Sequence, residues 1–509
     1  MESRTRVPRS LQATALVMAL LLCALTGSLT PAQAVPLRPE RSVPTHAGPV
    51  NGYPTVSRKA RHHTRSKAKA KAKAKAKPRA KPRAKAKPKP GWSPADSTIF
   101  NYPFGSWPDQ FAIQRHILGA INGSPRGSSI RLTTFTFIDP KIARALVAAR
   151  LRGVSVQLLV NRKNWRQSGP LHKMRRALGT SLHGHPRKSL ARASYARLCT
   201  QSCRGVQGNL HSKIYLFSKV GHTRFVTMTG SANLTTFAAV GQWNHLDTII
   251  GRRIYLFYLK IFDQMRLDRP VRNPFQVFGG APLAIWVFPR PGTNSVNDPM
   301  TKVLDNISCR APAHTGVAVP APKKAKPTKK SKHARSSRSA RAKSKKKRHK
   351  KSTHTAPRPF TRRTLIRIGM YAWFENRGNW LARAVRKKWN EGCDVRIIYA
   401  VFNGTSKRIL FSPTGRGRIP MRRSVTTDYL GNVIDYNHSK YLAVSGMYAG
   451  KPREAVWTGS TNFTNLGLNS DDVTMMLRGR RVFTAYFRNF LRVWRSKTSK
   501  RPIPTPPLV

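Results

Sequence analysis

The residues best suited to chemistry lie in two short motifs that repeat along the chain. In each motif a histidine stands two residues before a lysine, and a Gly-Ser-X-Asn turn follows whose serine is 20 or 22 residues after the histidine. Alternation along a strand predicts that each histidine and its lysine share one face. The two sets are His211, Lys213, Ser231 and Asn233 in the first half, and His438, Lys440, Ser460 and Asn462 in the second.

These residue types suit the chemistry of a phosphodiester. Lysine is a compact positive charge for non-bridging phosphate oxygens, and a neutral imidazole can attack phosphorus. The amides of Asn233 and Asn462 would donate hydrogen bonds to the same oxygens, and a second histidine would protonate the leaving alkoxide. Because two lysines already supply positive charge, no metal ion or other cofactor is expected.

An aspartate follows each turn at a similar distance. Both turns precede an Asn-X-X-Asp sequence, which ends at Asp247 in the first half and at Asp472 in the second. A carboxylate beside a histidine orients the ring and raises its basicity. Both aspartates are therefore candidate supporting residues, and ordinary pairing at the surface or in a loop is the alternative.

The chain carries a formal net charge of +77, which is unevenly distributed. Residues 58–90 and 323–351 each hold 16 Lys or Arg and no acid, and about 45 positive charges remain on the rest. Anionic membrane surfaces, nucleic acids or wall polymers are therefore the expected partners. Solubility and retention at a cell wall are the simpler roles for the two basic segments.

Residues 1–34 have the composition of a secretory signal peptide. Three arginines precede an apolar run at 13–25, and a small-residue cleavage site lies at 32–34. Residues 35–91 follow as a tail rich in Ala, Lys and Pro, which is expected to be disordered because like charges and prolines oppose a packed core. No later stretch approaches the roughly 20 apolar residues of a membrane span. We therefore expect an extracellular protein, with the cell wall as a candidate site of retention.

Four cysteines lie beyond the signal segment, at Cys199, Cys203, Cys309 and Cys393. An even number in an exported chain predicts disulfides, with three possible pairings. The favoured pairing is Cys199 with Cys203 and Cys309 with Cys393. The C-x-x-x-C spacing could hold a metal, but no second ligand pair lies nearby, so a structural bridge is favoured.

The two halves of the chain show the same order of predicted elements. Hydrophobic periodicity predicts a helix, a strand, a helix and a strand at 109–121, 130–137, 140–152 and 154–160. The second half repeats them at 298–307, 365–374, 379–389 and 395–401. This β-α-β order predicts a mixed or parallel sheet covered by helices. The Lys/Arg-rich segment 311–358 falls between helix and strand, as a disordered surface insert.

The joint pattern resembles the phospholipase D superfamily, whose signature is His-x-Lys-x-x-x-x-Asp followed by Gly-Ser-x-Asn. The resemblance implies an α/β fold of two pseudo-twofold-related lobes, with mixed sheets flanked by helices, at 92–273 and 274–509. Both motifs would meet in one cleft of a monomer. Carried over by motif position, His211 would be the nucleophile that forms a phosphohistidine, and His438 the general acid and later the base.

The chain departs from that signature at one position in each motif. Five residues after each lysine the family has aspartate, and this chain has Ser218 and Ser445. Both copies depart in the same way, which fits a divergent subfamily. Because the directly acting His, Lys and Asn residues are retained, activity is expected.

Three functions are compatible with these features. The first is a secreted phospholipase D that hydrolyses phospholipid head groups through a phosphohistidine. The second is a metal-independent nuclease of the same superfamily, and the third is a catalytically weak protein that binds polyanions. Because the reaction chemistry is shared, the sequence leaves the substrate and the head group open.

Overall fold

The computed structural model describes residues 92–166, 168–180, 193–309 and 363–500, which belong to one compact unit. The proposed signal segment, the basic tail 35–91 and the insert 311–358 lie outside the described residues. Within the described part, no helix is both long and apolar enough to cross a membrane.

The first half builds a seven-stranded mixed sheet. The strands of this half are β1 (Ser97–Phe100), β2 (Ser129–Thr134), β3 (Ser155–Asn161), β4 (Tyr195–Cys199), β5 (Ile214–Val220), β6 (Thr223–Gly230), β7 (Gln242–Trp243) and β8 (His245–Ile250). The sheet order is β1-β8-β6-β5-β2-β3-β4, and β7 leaves it to join the other sheet. The helices are α1 (Trp107–Gln110), α2 (Ala112–Asn122), α3 (Pro140–Leu151), α4 (Gly169–Leu178), α5 (Thr236–Val240) and α6 (Arg252–Met265), with a 3-10 turn at Arg162–Asn164.

The second half builds a larger mixed sheet. Its strands are β9 (Gln276–Gly280), β10 (Leu283–Val287), β11 (Ile307–Ser308), β12 (Leu365–Trp373), β13 (Asp394–Phe402), β14 (Met421–Thr427), β15 (Val433–Asn437), β16 (Lys440–Tyr448), β17 (Lys451–Gly459), β18 (Val473–Arg478) and β19 (Ser499–Lys500). The sheet runs β7-β15-β14-β13-β12-β16-β17-β18-β10-β9, with β11 on β16 and β19 on β14. The helices are α7 (Pro299–Asp305), α8 (Glu375–Asn390), α9 (Gly404–Phe411), α10 (Asn465–Asn469) and α11 (Arg480–Arg495).

The two sheets share one strand order. The run β8-β6-β5-β2-β3-β4 in the first corresponds to β18-β17-β16-β12-β13-β14 in the second. In both, the last three strands are parallel to one another and the others are antiparallel. The expected α/β class, with two mixed sheets flanked by helices, is confirmed.

Local sequence explains where the predicted elements begin and end. The helix α3 begins at Pro140 because the Asp139 carboxylate accepts hydrogen bonds from the amides of Lys141 and Ile142. The single helix predicted at 109–121 is instead two helices, α1 and α2. They are separated by Phe111, whose ring stacks on Trp107 with 5.1 Å between centroids.

Two helices that the sequence analysis did not anticipate bury the surfaces between the sheets. Helix α6 packs its apolar face on β5, β6 and β8 of its own half, and the core it belongs to also contains Ile285 and Met475 of the other half. Helix α11 packs on Trp243 and on β16 and β17. Because both cores contain residues from both halves, the lobes hold a fixed relation to each other.

Candidate active site

Each motif histidine is held by the backbone of the opposite lobe. His211 lies in the segment just before β5, and its amide and that of Ser212 donate to the carbonyl of Asp471, at 3.1 and 2.7 Å. His438 lies between β15 and β16, and its amide donates to the carbonyl of Trp243 at 3.1 Å. The expectation that His211 sits within a regular strand is therefore wrong. The hydrogen bonds from this segment to the backbone of Asp471, in the second half, take the place of pairing within a strand.

The ring of His211 pairs with the carboxylate of Asp472. Its Nδ1 lies 2.9 and 3.1 Å from the two carboxylate oxygens, and Ser460 Oγ donates to the same group at 2.5 Å. A carboxylate only accepts, so Nδ1 carries the proton and Nε2 is left with its lone pair. Ser460 and Asp472 thus support the histidine of the first motif, although they belong to the second half.

The ring of His438 pairs with an amide rather than a carboxylate. Its Nδ1 lies 2.9 Å from Asn244 Oδ1, which also accepts from Ser231 Oγ at 2.8 Å. The Asn244 Nδ2 group donates to the carbonyl of Ala238 at 3.0 Å, which fixes the orientation of the amide. Asn244 therefore takes the place that Asp472 occupies beside His211.

Asp247 does not support a histidine, contrary to the prediction. Its carboxylate accepts from Thr98 Oγ1 and Tyr486 Oη, both at 2.7 Å, and burial raises its pKa to about 6. The Asn-X-X-Asp pattern suggested that Asp247 corresponds to Asp472. In the structure Asn244 corresponds to Asp472, because each immediately precedes the strand that follows its Gly-Ser-X-Asn turn, β8 or β18. Aligning the two strand starts would have paired these residues.

The two motif lysines are buried beside aromatic rings. Lys213 Nζ donates to the carbonyl of His211 and stands 5.9 Å from the centre of the Phe135 ring. Lys440 Nζ donates to the carbonyl of His438 at 2.6 Å and stands 4.9 Å from the centre of the Tyr371 ring. These rings, which the sequence analysis missed, also meet the histidines edge-on.

The turn asparagines lie at the ends of β6 and β17. Asn233 and Asn462 are half-buried, and each has a buried side-chain oxygen with no hydrogen-bond partner among the described residues. Arg377 fixes the second turn by donating to the carbonyl of Asn462 at 2.9 Å while forming a buried ion pair with Asp298.

The two half-sites lie close together, because the charges of Lys213 and His211 act on His438 of the other half. Burial lowers the pKa of His438 well below its usual value, and the charges of Lys440 and Lys213 lower it further. Burial also lowers the pKa of His211, although Asp472 opposes this shift. The pKa of Lys440 falls well below its usual value, because of burial and the charge of Lys213. Both imidazoles are therefore neutral at pH 7 until an anion enters.

The lowered lysine pKa predicts a specific pH dependence. Burial lowers the pKa of Lys213 to about 7, so the free protein loses this charge as the pH rises past about 7. Since kcat/KM reports the free enzyme, we expect kcat/KM for a phosphodiester to fall above pH 7. Lys213→Arg should abolish this alkaline fall, because guanidinium stays charged. An unchanged alkaline limb in Lys213→Arg would assign it to another group.

The serines that replace the family aspartate lie away from the cleft. Ser218 and Ser445 stand five residues beyond the lysines along β5 and β16, roughly 16 Å of extended chain. Ser218 Oγ accepts from the amide of Ser129 at 2.8 Å, and Ser445 is buried. The departure therefore removes no group from the cleft.

The cysteines form the two favoured disulfides, Cys199–Cys203 and Cys309–Cys393. Asp268 lies beside the first pair, where these three residues would have the spacing of a metal site. The two sulfur atoms are bonded to each other, so they are not thiolate ligands.

Comparison with known proteins extends this picture. Residues 117–266 match a family model described as the PLD-like domain of cardiolipin synthase. No curated protein matches the sequence at a significant level.

Solved structures resemble the chain only distantly. Polyphosphate kinase from Porphyromonas gingivalis is 12% identical, with a TM-score of 0.44 over 79% of this chain and 51% of that one. The phospholipase D family member Nuc from Salmonella typhimurium is 18% identical, with a TM-score of 0.24 over 34% and 94%. NucT from Helicobacter pylori is 16% identical, with a TM-score of 0.25 over 34% and 96%. The chain thus spans about half the length of the kinase.

The matched domain contains the first motif, with His211, Lys213 and Asn233. The second motif repeats these residue types on the corresponding strands of the other sheet. Residues 117–266 of the chain are therefore similar to a PLD-like domain.

Proposed function

We propose that the protein is a secreted phosphodiesterase that hydrolyses phospholipid head groups through a phosphohistidine. The observation that carries the proposal is the unequal support of two histidines in one cleft. His211 has the carboxylate of Asp472 on its Nδ1, whereas His438 has only the amide of Asn244. This difference divides the roles of nucleophile and acid between them.

In the first step, His211 Nε2 attacks phosphorus and the bond to the leaving oxygen breaks. The ring becomes cationic when it carries phosphorus, and the Asp472 carboxylate stabilises that charge. His438 donates its proton to the leaving alkoxide. With a neutral amide partner its pKa stays low, so its imidazolium is a strong acid. The negative charge of the bound phosphodiester favours protonation of this ring.

In the second step, water releases the phosphoryl group from His211. Neutral His438 takes a proton from the water, whose oxygen attacks phosphorus as the bond to His211 Nε2 breaks. Lys213 and Lys440 balance the charge on the non-bridging oxygens in both steps. Both half-sites come from one chain, so a monomer is sufficient.

Two observations favour a phospholipid substrate. The hairpin between β14 and β15 leads directly to His438, and its tip exposes Tyr429 and Leu430 by 95% and 70%. Exposed apolar side chains at a hairpin tip suit a lipid surface, and each Lys or Arg near an anionic membrane adds about 1 kcal/mol of binding. The family model is also named for cardiolipin synthase, a phospholipid enzyme by name.

A nuclease is the second candidate, and the surface of α11 favours it. Arg481, Arg488, Arg492 and Arg495 are spaced along one exposed face of this helix, and none forms an ion pair among the described residues. A straight row of guanidinium groups suits the phosphates of a nucleic acid.

Export is supported by two disulfides, which form and persist in oxidising compartments. The N-terminal segment 1–34 is the expected signal peptide, and its removal would leave the basic tail at the mature N-terminus.

The test supplies vesicles of mixed anionic and zwitterionic phospholipids, and separately DNA, to the mature protein in chelator. We expect release of head groups from the vesicles, and its loss in His211→Ala. DNA cutting without lipid turnover would overturn the phospholipid assignment and favour the nuclease. Retention of DNA without any turnover would favour a polyanion binder.

A pair of surface variants sharpens the same test. The double variant Tyr429→Ser/Leu430→Ser should lower turnover of vesicles but leave turnover of a soluble phosphodiester unchanged. The matched variant Arg488→Gln/Arg495→Gln should weaken DNA retention instead. Equal vesicle turnover in the first variant and the wild type would remove the hairpin tip from lipid binding.

A further inference from the structure

A disulfide-closed loop of the first half holds a buried aspartate of the second half. The loop runs from Cys199 to Cys203, where Ser202 Oγ and the Cys203 amide donate to Asp471 Oδ2 at 2.9 and 2.5 Å. The next residue, Arg204, donates from Nε to Asp471 Oδ1 at 2.9 Å. Neither charged side chain has any exposed surface. Both carboxylate oxygens are thus held by one short stretch of chain.

The aspartate held by this loop is adjacent in sequence to the aspartate whose carboxylate pairs with His211. Asp471 immediately precedes Asp472, and the backbone of Asp471 bonds to the segment that carries His211. Its carbonyl accepts from the amides of His211 and Ser212, and its amide donates to the carbonyl of Asn209 at 2.9 Å. Both partners of the His211–Asp472 hydrogen bond are therefore tied to Asp471.

In the opposite half-site, a tryptophan stands where Asp471 stands beside His211. Trp243 takes the place of Asp471 there, because its carbonyl accepts from the amide of His438 and it precedes Asn244. Its ring packs against those of Tyr102 and Phe104. An ion pair as deeply buried as Arg204–Asp471 is costly and does not by itself stabilise a fold. Because the backbone of Asp471 bonds to the segment that carries His211, this pair points to a role in the support of that histidine.

We propose that the loop 199–204 is a positioning clamp, closed by the Cys199–Cys203 disulfide, that holds Asp472 on the ring of the nucleophile His211. This inference rests on the proposed function and names the residues that position its nucleophile. Asp471, Arg204 and Ser202 touch no reacting atom; they act through Asp472. The disulfide fixes the directions in which Ser202 Oγ and the Cys203 amide point, and thereby the place of residue 471.

The second disulfide of the chain supplies a matched control. Cys309–Cys393 closes a separation of 84 residues, against 4 for Cys199–Cys203, so its loss should cost more stability in the chain-entropy account. It packs in the core of the second lobe against β12 and β13. We therefore expect Cys309→Ala/Cys393→Ala to lower the melting temperature more, and to leave the pH profile of kcat/KM unchanged.

For Cys199→Ala/Cys203→Ala we expect a fall in kcat/KM of roughly 10-fold or more towards bis(p-nitrophenyl) phosphate. The acidic limb of the pH profile should also move to lower pH, because a displaced Asp472 no longer raises the pKa of His211. The variant Ser202→Ala keeps the disulfide and should shift the limb in the same direction, with a fall of about 3- to 10-fold. An unchanged pH profile in both variants, or an equal shift in the Cys309/Cys393 control, would overturn the clamp.

A readout without turnover separates this inference from the proposed function. In protein labelled at histidine, nuclear magnetic resonance follows the titration of the His211 ring, assigned by its absence in His211→Ala. We expect a lower His211 pKa in Cys199→Ala/Cys203→Ala and in Ser202→Ala than in the wild type. If the His211 pKa differs in this way between the wild type and the variants, but the wild type turns over no phosphodiester, the clamp stands and the proposed function fails. Identical titrations would overturn the clamp even in an active protein.

Discussion

Replacing His438 with alanine is expected to leave a protein that reacts once with bis(p-nitrophenyl) phosphate and then stops. p-Nitrophenolate is a good leaving group that needs no protonation. His211 can therefore still attack phosphorus and displace it. The second step needs His438 to take a proton from water, and without it the phosphohistidine persists. Stopped-flow absorbance should show a burst near one equivalent, followed by turnover at least about 10²-fold slower than that of the wild type.

The matched variant His211→Ala should show no burst and a kcat lower by at least about 10³-fold, because the nucleophile is gone. Acid-labile phosphorus should be recovered on the protein in His438→Ala and be absent from His211→Ala. A burst in His211→Ala and none in His438→Ala would exchange the two roles, and would contradict the argument from Asp472 and Asn244.

The second large effect separates the two aspartates that share one sequence pattern. Asp472→Asn should lower kcat/KM by on the order of 10²-fold, because an amide can no longer balance the charge of the reacting His211 ring. Asp247→Asn should leave kcat/KM nearly unchanged, because among the described residues this carboxylate bonds to Thr98 and Tyr486 and to no histidine. Equal losses in both variants would restore Asp247 to the site.

Asp247→Asn should also change stability in a defined direction. The folded-state pKa of Asp247 is raised from 3.8 to about 6, so folding favours the protonated acid. Its stabilising contribution is present at low pH and is lost as the pH rises through about 6, at a cost of about 3 kcal/mol for a two-unit shift. The melting temperature of the variant should rise relative to that of the wild type as the pH is raised from 4 to 7. A constant difference across that range would contradict the raised pKa.

The sequence was sufficient to name the candidate catalytic groups, because that choice depends on residue type and spacing. The motifs of His211 and His438 repeat with their lysines and turns, and in the structure each histidine bonds to a residue of the other half. The order helix, strand, helix, strand at the start of each half was also predicted, since hydrophobic periodicity is local. The single helix expected at 109–121 was an error of detail, caused by the turn at Phe111.

The partners of those groups could not be predicted in the same way. Asp472 supports a histidine that is 261 residues away, and Asn244 supports one that is 194 residues away. Each bond depends on how the two lobes pack, which α6 and α11 decide through the cores they share. The sequence by itself determined which residues are candidates for catalysis and that they occur in pairs. The tertiary structure decided that each lobe supports the histidine of the other and that only one histidine receives a carboxylate, because such contacts form only when distant segments of the chain pack together.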